Sequence, residues 1–200
     1  LKTAYSIASS SVDSSYWQRN YRLANRRRGA SGIAAPQQDF SYRIFQMTSP
    51  TIRPARADEH DEIARVWMNS WASTGLEAAS DSLLVKLCTR LRLEVENGWS
   101  LFVADDGGAL AAMLALHLPH RYLDQLFVAP EYQGRNLGRQ LLAFTRQQMP
   151  DEISLRCVRE NEKAWRWYER EGFVLETERV EPMTGFTMKY YRWKKEGTLP

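Results

Sequence analysis

Seven residues, Gln133-Gly134-Arg135-Asn136-Leu137-Gly138-Arg139, separate the strand-like stretch DQLFVAP from an apolar run with helical spacing. At the start of a helix the first backbone N–H groups have no intrahelical partner, and the helix dipole adds about half a positive charge. An anion such as a diphosphate satisfies both, provided the main chain can approach it closely. Gly134 and Gly138 remove the side chains that would block that approach. Asn136 is one of the few non-glycine residues that tolerate a left-handed backbone at modest cost. Arg135 and Arg139 can add charge to the same anion. The segment has neither the Gly-Lys-Ser/Thr ending of a P-loop nor the Gly-x-Gly-x-x-Gly spacing of a dinucleotide fold, so it suits a phosphate cradle for some other ligand. Taken alone, the turn fits equally well a plain connection from strand to helix.

Other reactive side chains form weaker patterns. His117 and His120 are three residues apart, but no cysteine or carboxylate stands at matching spacing, so no metal is expected. Cys157 sits in the apolar stretch ISLRCV and reads as core rather than nucleophile. Cys88 and Cys157 are the only cysteines, too few for a disulfide framework, which suits a reducing, cytoplasmic setting. No apolar run approaches the ~20 residues of a membrane span.

The elements that would carry these groups can be read from Thr51 onward. TIRPA is a short strand, and Asp58 is a candidate cap for a helix over about 59–70, where Ile63, Val66 and Trp67 recur at helical spacing. SDSLLVKLCTRLRLEVENG predicts a second helix, capped by Ser80 or Asp81 and stopped by Gly98. SLFVADDGGALAAMLAL predicts a hairpin with an Asp-Gly turn. RYLDQLFVAP is a further strand, ended by Pro130. A helix over about 135–148, the strand ISLRCV, a helix NEKAWRWYERE closed by Gly172, and strands near 173–180 and 185–193 follow. The order β-α-α-β-β-β-α-β-α-β-β describes a mixed α/β domain.

Charge separates the first 46 residues from the rest. Residues 1–46 hold seven Lys/Arg and two Asp, a net +5, whereas the remainder holds 20 basic and 22 acidic residues, a net −2. The main body is therefore not a basic nucleic-acid surface, and nucleic acid is not an expected partner. The stretches SIASSSVDSS and RLANRRRGASG show no sustained apolar period. They read as an N-terminal extension over 1–46, flexible or outside the functional domain of 47–200, with a packed arm or a targeting tail as alternatives.

Two segments together carry a resemblance. LDQLFVAPEYQGRNLGRQLL, with Gln133, Asn136 and Gly138, resembles the acetyl-CoA signature Gln/Arg-x-x-Gly-x-Gly/Ala of the GNAT acetyltransferase superfamily. RENEKAWRWYEREGF, with Asn161, Ala164, Tyr168, Glu169, Gly172 and Phe173, resembles that family's downstream signature. The likeness covers about 50–193, and it departs from the family where glycine is usual and this chain has Asn136. It implies a mostly antiparallel central sheet flanked by helices and an acetyl-CoA-dependent N-acetyltransferase, with acetyl-CoA and a primary amine of a small molecule or protein as partners. It implies that the pantetheine arm lies along Leu126-Phe127-Val128, and that the diphosphate sits on the amides from Gln133 through Gly134, Arg135, Asn136, Leu137 and Gly138 to Arg139. Homodimers are common in this family, so self-association is a further expectation. The alternative is a non-catalytic acyl-CoA-binding or partner-binding module of the same fold, with a basic arm.

The resemblance also assigns an acid. Tyr168 matches the family's proton donor to the departing thiolate, and a phenol with pKa near 10 is protonated at neutral pH. Its other reading is a core tyrosine beside Trp165 and Phe173. Asn161 would bond the pantetheine or cap the helix before EKAW. The amine must lose a proton, and the cost depends on its class. A lysine-like amine is neutral in about one molecule in 2,500 at pH 7, a penalty of roughly 4–5 kcal/mol, against about 1 kcal/mol for an α-amino group. Asp124, beside the reaction strand, is the first candidate base, with His117 and His120 as second choices. Trp67 and Trp71 read as core, and NSWASTGLEAA (69–79) is where acceptor contacts are expected.

Overall fold

The segment Ala109–Leu116 is apolar at every position, which fits a central strand covered on both faces rather than a half-exposed one. In the computed structural model, which describes residues 49–182 and 185–195, this strand lies inside a seven-stranded sheet. The elements are β1 (Thr51–Pro54), α1 (His60–Ala72), α2 (Asp81–Glu96), β2 (Ser100–Asp106), β3 (Ala109–His117), β4 (Tyr122–Val128), α3 (Leu137–Gln148), β5 (Glu152–Val158), α4 (Glu162–Arg170), β6 (Val174–Val180) and β7 (Thr187–Lys194). This is the order read from the sequence, with single 3-10 turns added before α1, β4 and α3. The extension expected over 1–46 lies outside the described residues.

The sheet order is β1-β2-β3-β4-β5-β7-β6, and every neighbouring pair is antiparallel except β4 with β5. Strand alternation divides the core in two. Ile63, Trp67, Leu87 and Leu91 of α1 and α2 pack with Val103, Met113 and Ala115 on one face. Leu137, Leu141 and Leu142 of α3 and Tyr168 of α4 pack with Leu114, Leu116, Leu123, Leu155 and Tyr191 on the other. The β2–β3 hairpin turns through Gly107 and Gly108, both at positive φ.

Helix starts show where local reading fails. Ser80 caps α2 as expected, its Oγ accepting from the Leu83 N–H at 3.1 Å. Asp58 does not cap α1. It lies in the preceding 3-10 turn and, among the described residues, meets the exposed Arg56 side chain. The α1 start has no side-chain cap, and the Glu59 carboxylate closes the 3-10 turn instead, accepting from the Arg56 N–H at 2.7 Å and from both terminal nitrogens of Arg53 at 2.6 and 2.9 Å. Arg53 also reaches Asp105 at 2.7 Å, so the pair ties β1, α1 and the β2–β3 turn together.

Glu59 is 6% exposed, and its hydrogen bond to Arg53 holds its carboxyl at about 2. A depressed carboxyl stabilises the fold above its unfolded value near 4.5, and that share is lost as pH falls toward 2. Glu59→Ala should cost about 2–3 kcal/mol at neutral pH, because Arg53 loses its buried carboxylate partner and keeps only Asp105 and the Pro54 carbonyl among the described residues. Denaturation at pH 7 and pH 3 checks this: the gap between wild type and variant should shrink at the lower pH.

Candidate active site

β4 and β5 are paired only at their beginnings. Tyr122 lies opposite Ser154 and Leu123 opposite Leu155, after which β4 continues to Val128 and β5 to Val158 without cross-strand register. The cause lies in β4. Against β3, Ala115 faces Gln125 while Leu116 faces Leu123, so Asp124 is an extra residue, a β-bulge. Bulges bend and over-twist the strand that carries them, and here the strand swings away from its parallel neighbour.

The split leaves backbone groups for another chain. The Ala129 N–H donates to the Ala111 carbonyl on the β3 side, whereas the Val128 carbonyl accepts from Gln133 Nε2 at 3.1 Å on the other. By the two-residue period the polar groups of Leu126 turn the same way as those of Val128, into the split. The Leu126 and Val128 side chains pack toward α3, and Phe127 goes to the opposite face between Trp67 and Trp71, 5.9 and 6.4 Å away. Trp67 is core, as expected; Trp71 is half-buried, its indole N–H donating to Glu77 at 3.1 Å.

A cleft of about 590 Å³ opens from this edge across the start of α3. Its wall contains Leu126, Phe127, Val128, Gln133, Gly134, Asn136, Leu137, Gly138, Arg139 and Asn161, so nearly all the residues singled out for a phosphorylated ligand meet in one place. Asn136 has φ 64° and ψ 6°, the left-handed conformation its residue type allows, and α3 therefore begins at Leu137 rather than near 135. Gly134 has φ 77°, and a Cβ there would meet no protein atom within 4 Å, so it would project into open space beside the turn. A Cβ on Gly138 would touch the Trp167 ring at 3.5 Å, an ordinary contact.

The arginines are placed less simply. Arg139 lines the cleft while its Nε donates to Glu171 at 2.6 Å, and the Arg135 guanidinium lies over the Tyr132 ring at 5.3 Å, outside the cleft wall. Asn161 caps α4, its Oδ1 accepting from the Ala164 N–H at 3.3 Å, and still faces the cleft. Ser70, Ser73 and Thr74 reach the cleft from the 69–79 segment, and Gln133 Nε2 lies 3.4 Å from Ser73 Oγ.

Neither acid–base candidate lies in the cleft wall. Tyr168 is 8% exposed, between Trp167 and Phe173 with ring centroids at 4.9 and 5.5 Å, and burial pushes its phenol far above the ordinary value. Asp124 sits on the bulge, on the face opposite α3. Its Oδ2 accepts from the Trp99 indole at 3.1 Å and its Oδ1 from Gln125 at 3.0 Å. His117 and His120 stack at 4.2 Å instead of converging on a common point, and burial raises the Cys157 thiol to about 12, as befits a core residue.

Sequence reasoning missed Trp99, Trp167, Lys163 and Arg170. Trp99 follows a helix-stopping glycine and carries no local sign that its N–H reaches a residue 25 positions away. Trp167 had a sign that went unused: it immediately precedes Tyr168 and fills the space that Gly138 leaves open.

Comparison with known proteins agrees with this geometry. The chain is 26% identical over 170 residues to a probable N-acetyltransferase of Mycobacterium tuberculosis, covering 74% of this chain and 95% of that one. It is 26% identical over 124 residues to a peptidyl-lysine N-acetyltransferase of Escherichia coli, covering 61% and 82%. Its fold matches the PaiA N-acetyltransferase of Thermoplasma acidophilum, solved in complex with coenzyme A, with a TM-score of 0.55 at 20% identity over 74% of this chain and 100% of that one. The split sheet, the left-handed turn and the cleft lie within or beside residues 60–173, which match the acetyltransferase (GNAT) family model, and the chain belongs to that family of acetyl-CoA-dependent acyltransferases.

Proposed function

We propose that this N-acetyltransferase moves the acetyl group of acetyl-CoA directly to a primary amine of a small molecule or protein, across the split between β4 and β5. The amine nitrogen attacks the thioester carbonyl carbon, the C–S bond breaks, one proton leaves the amine and one reaches the thiolate sulfur. The products are an N-acetylated amine and coenzyme A. In this reading the pantetheine amides pair with the outward groups of Leu126 and Val128 as an added strand would, and the Leu126 N–H polarises the thioester carbonyl. The diphosphate rests on the amides from Gln133 to Arg139. Tyr168 supplies the proton to sulfur, and Asp124, directly or through a water, takes the one from nitrogen.

The observation that carries this reading is the juxtaposition of an unpaired strand edge with a helix start preceded by two residues of positive φ, Gly134 and Asn136. Calorimetric titration with acetyl-CoA tests it. Wild type and Asn136→Gly should bind alike, since glycine adopts φ near 64° freely. Asn136→Val places a β-branched residue where it is strained by about 1–2 kcal/mol and should weaken binding by at least about tenfold. Gly138→Trp, which must displace Trp167 and fill the cradle, should show no binding. Absence of heat with the unmodified protein would overturn the proposal.

A further inference from the structure

Leu123 and Leu155 are the last paired residues of β4 and β5, so the next residue on each strand, Asp124 and Arg156, stands at the mouth of the split. Arg156 shares a face with Ser154, and through the β5–β7 register it lies opposite Tyr190. Leu155 and Tyr191, the alternate residues, point to α3 and α4 on the other side. An acceptor reaching the thioester from the face opposite α3 and α4 therefore passes between a carboxylate on one strand and a guanidinium on the other.

Arg156 is not a surface charge. Its side chain is 34% exposed, and Nη1 donates to Glu181 at 3.0 Å, where Glu181 itself is 28% exposed and opens the β6–β7 turn. Burial works against the guanidinium charge, but Tyr122, Tyr190, Asp124 and Glu181 outweigh it and raise its pKa. Once Glu181 is displaced from it, that guanidinium disfavours a second positive charge on the acceptor, as on a polyamine. It favours an acceptor that carries an anion, because a guanidinium fork takes a carboxylate through two parallel hydrogen bonds. Glu181 holds one nitrogen of that fork and so occupies a place that an incoming carboxylate can take.

We propose that the acceptor is an amine bearing a carboxylate a few bonds from its nitrogen, as a free α-amino acid does. Arg156 anchors that carboxylate, Glu181 is the internal group it displaces, and Asp124 faces the amine. This rests on placing the acetyl thioester in the split between β4 and β5.

The test compares acetyl transfer to the twenty L-amino acids, to their methyl esters and to spermidine, with an acetyl-CoA titration on each protein sample. Esterification lowers the amine pKa, which alone would speed the esters, so a preference for the free acids can come only from carboxylate recognition. Wild type should favour the best free acid over its ester by at least about tenfold in kcat/KM, and spermidine should be poor. Arg156→Gln should abolish the preference and leave acetyl-CoA affinity within about twofold, while Arg156→Lys should keep part of it. Glu181→Gln should lower KM for the acids several-fold, a change that a merely structural ion pair would not produce. Equal use of acids and esters by wild type, or spermidine as the best acceptor with no response to Arg156→Gln, would overturn the proposal while the titration still shows bound acetyl-CoA. Loss of that binding in wild type would instead remove the cofactor reading beneath it.

Discussion

Tyr168→Phe is expected to lower kcat by about 10²–10³, with the Kd for acetyl-CoA changed by less than about twofold. The side chain lies among Trp167, Phe173 and the apolar residues of α3, a setting that phenylalanine fills without a cavity. Its hydroxyl makes no hydrogen bond among the described residues, and it is not one of the buried polar atoms cut off from solvent. Phenylalanine therefore leaves no polar group stranded, and the variant should be about as stable as wild type. A loss of turnover with no loss of stability separates proton donation from packing. A variant with undiminished kcat would remove Tyr168 from the mechanism.

The pH dependence points the same way. Burial raises the phenol's pKa, so the folded protein keeps this proton while the unfolded chain releases it near pH 10. The raised value has two consequences. Tyr168 stays protonated through neutral pH and adds no alkaline limb to kcat there. Its contribution to stability is intact below about pH 10 and is lost as pH rises further, a loss that Tyr168→Phe should diminish.

The sequence exposed most of this site because its main devices are local. A positive φ at Asn136 follows from the residue type and its place before an apolar helical run, and the element order follows from period and turn chemistry. What was not legible depends on register. Nothing within β4 or β5 alone says that they pair for two residues and then part, because the bulge at Asp124 exists only relative to β3. Alternation alone makes Arg156 an outward residue of β5, and only that parting places it at the mouth of the split. The misassigned cap at Asp58 has a similar origin. Asp58 falls inside a 3-10 turn that the Glu59 carboxylate closes, and Glu59 is held there by Arg53 from the neighbouring strand.

Asp124→Asn should be the second severe lesion, lowering kcat/KM by about 10² near neutral pH. Both carboxylate oxygens already accept from protein donors, Trp99 and Gln125, which hold the group in one orientation beside the split. An amide at that position must turn its NH₂ toward one of those donors, so the substitution removes the proposed base and disturbs its setting together. Trp99→Phe separates the two effects. It deletes the indole N–H while keeping an aromatic ring against Trp67, and it leaves the carboxylate with Gln125 alone. If Trp99 acts only by positioning the carboxylate, Trp99→Phe should lose about tenfold, and adding it to Asp124→Asn should cost little more than Asp124→Asn alone. An Asp124→Asn variant with undiminished kcat/KM would leave Asp124 as a structural anchor of the bulge.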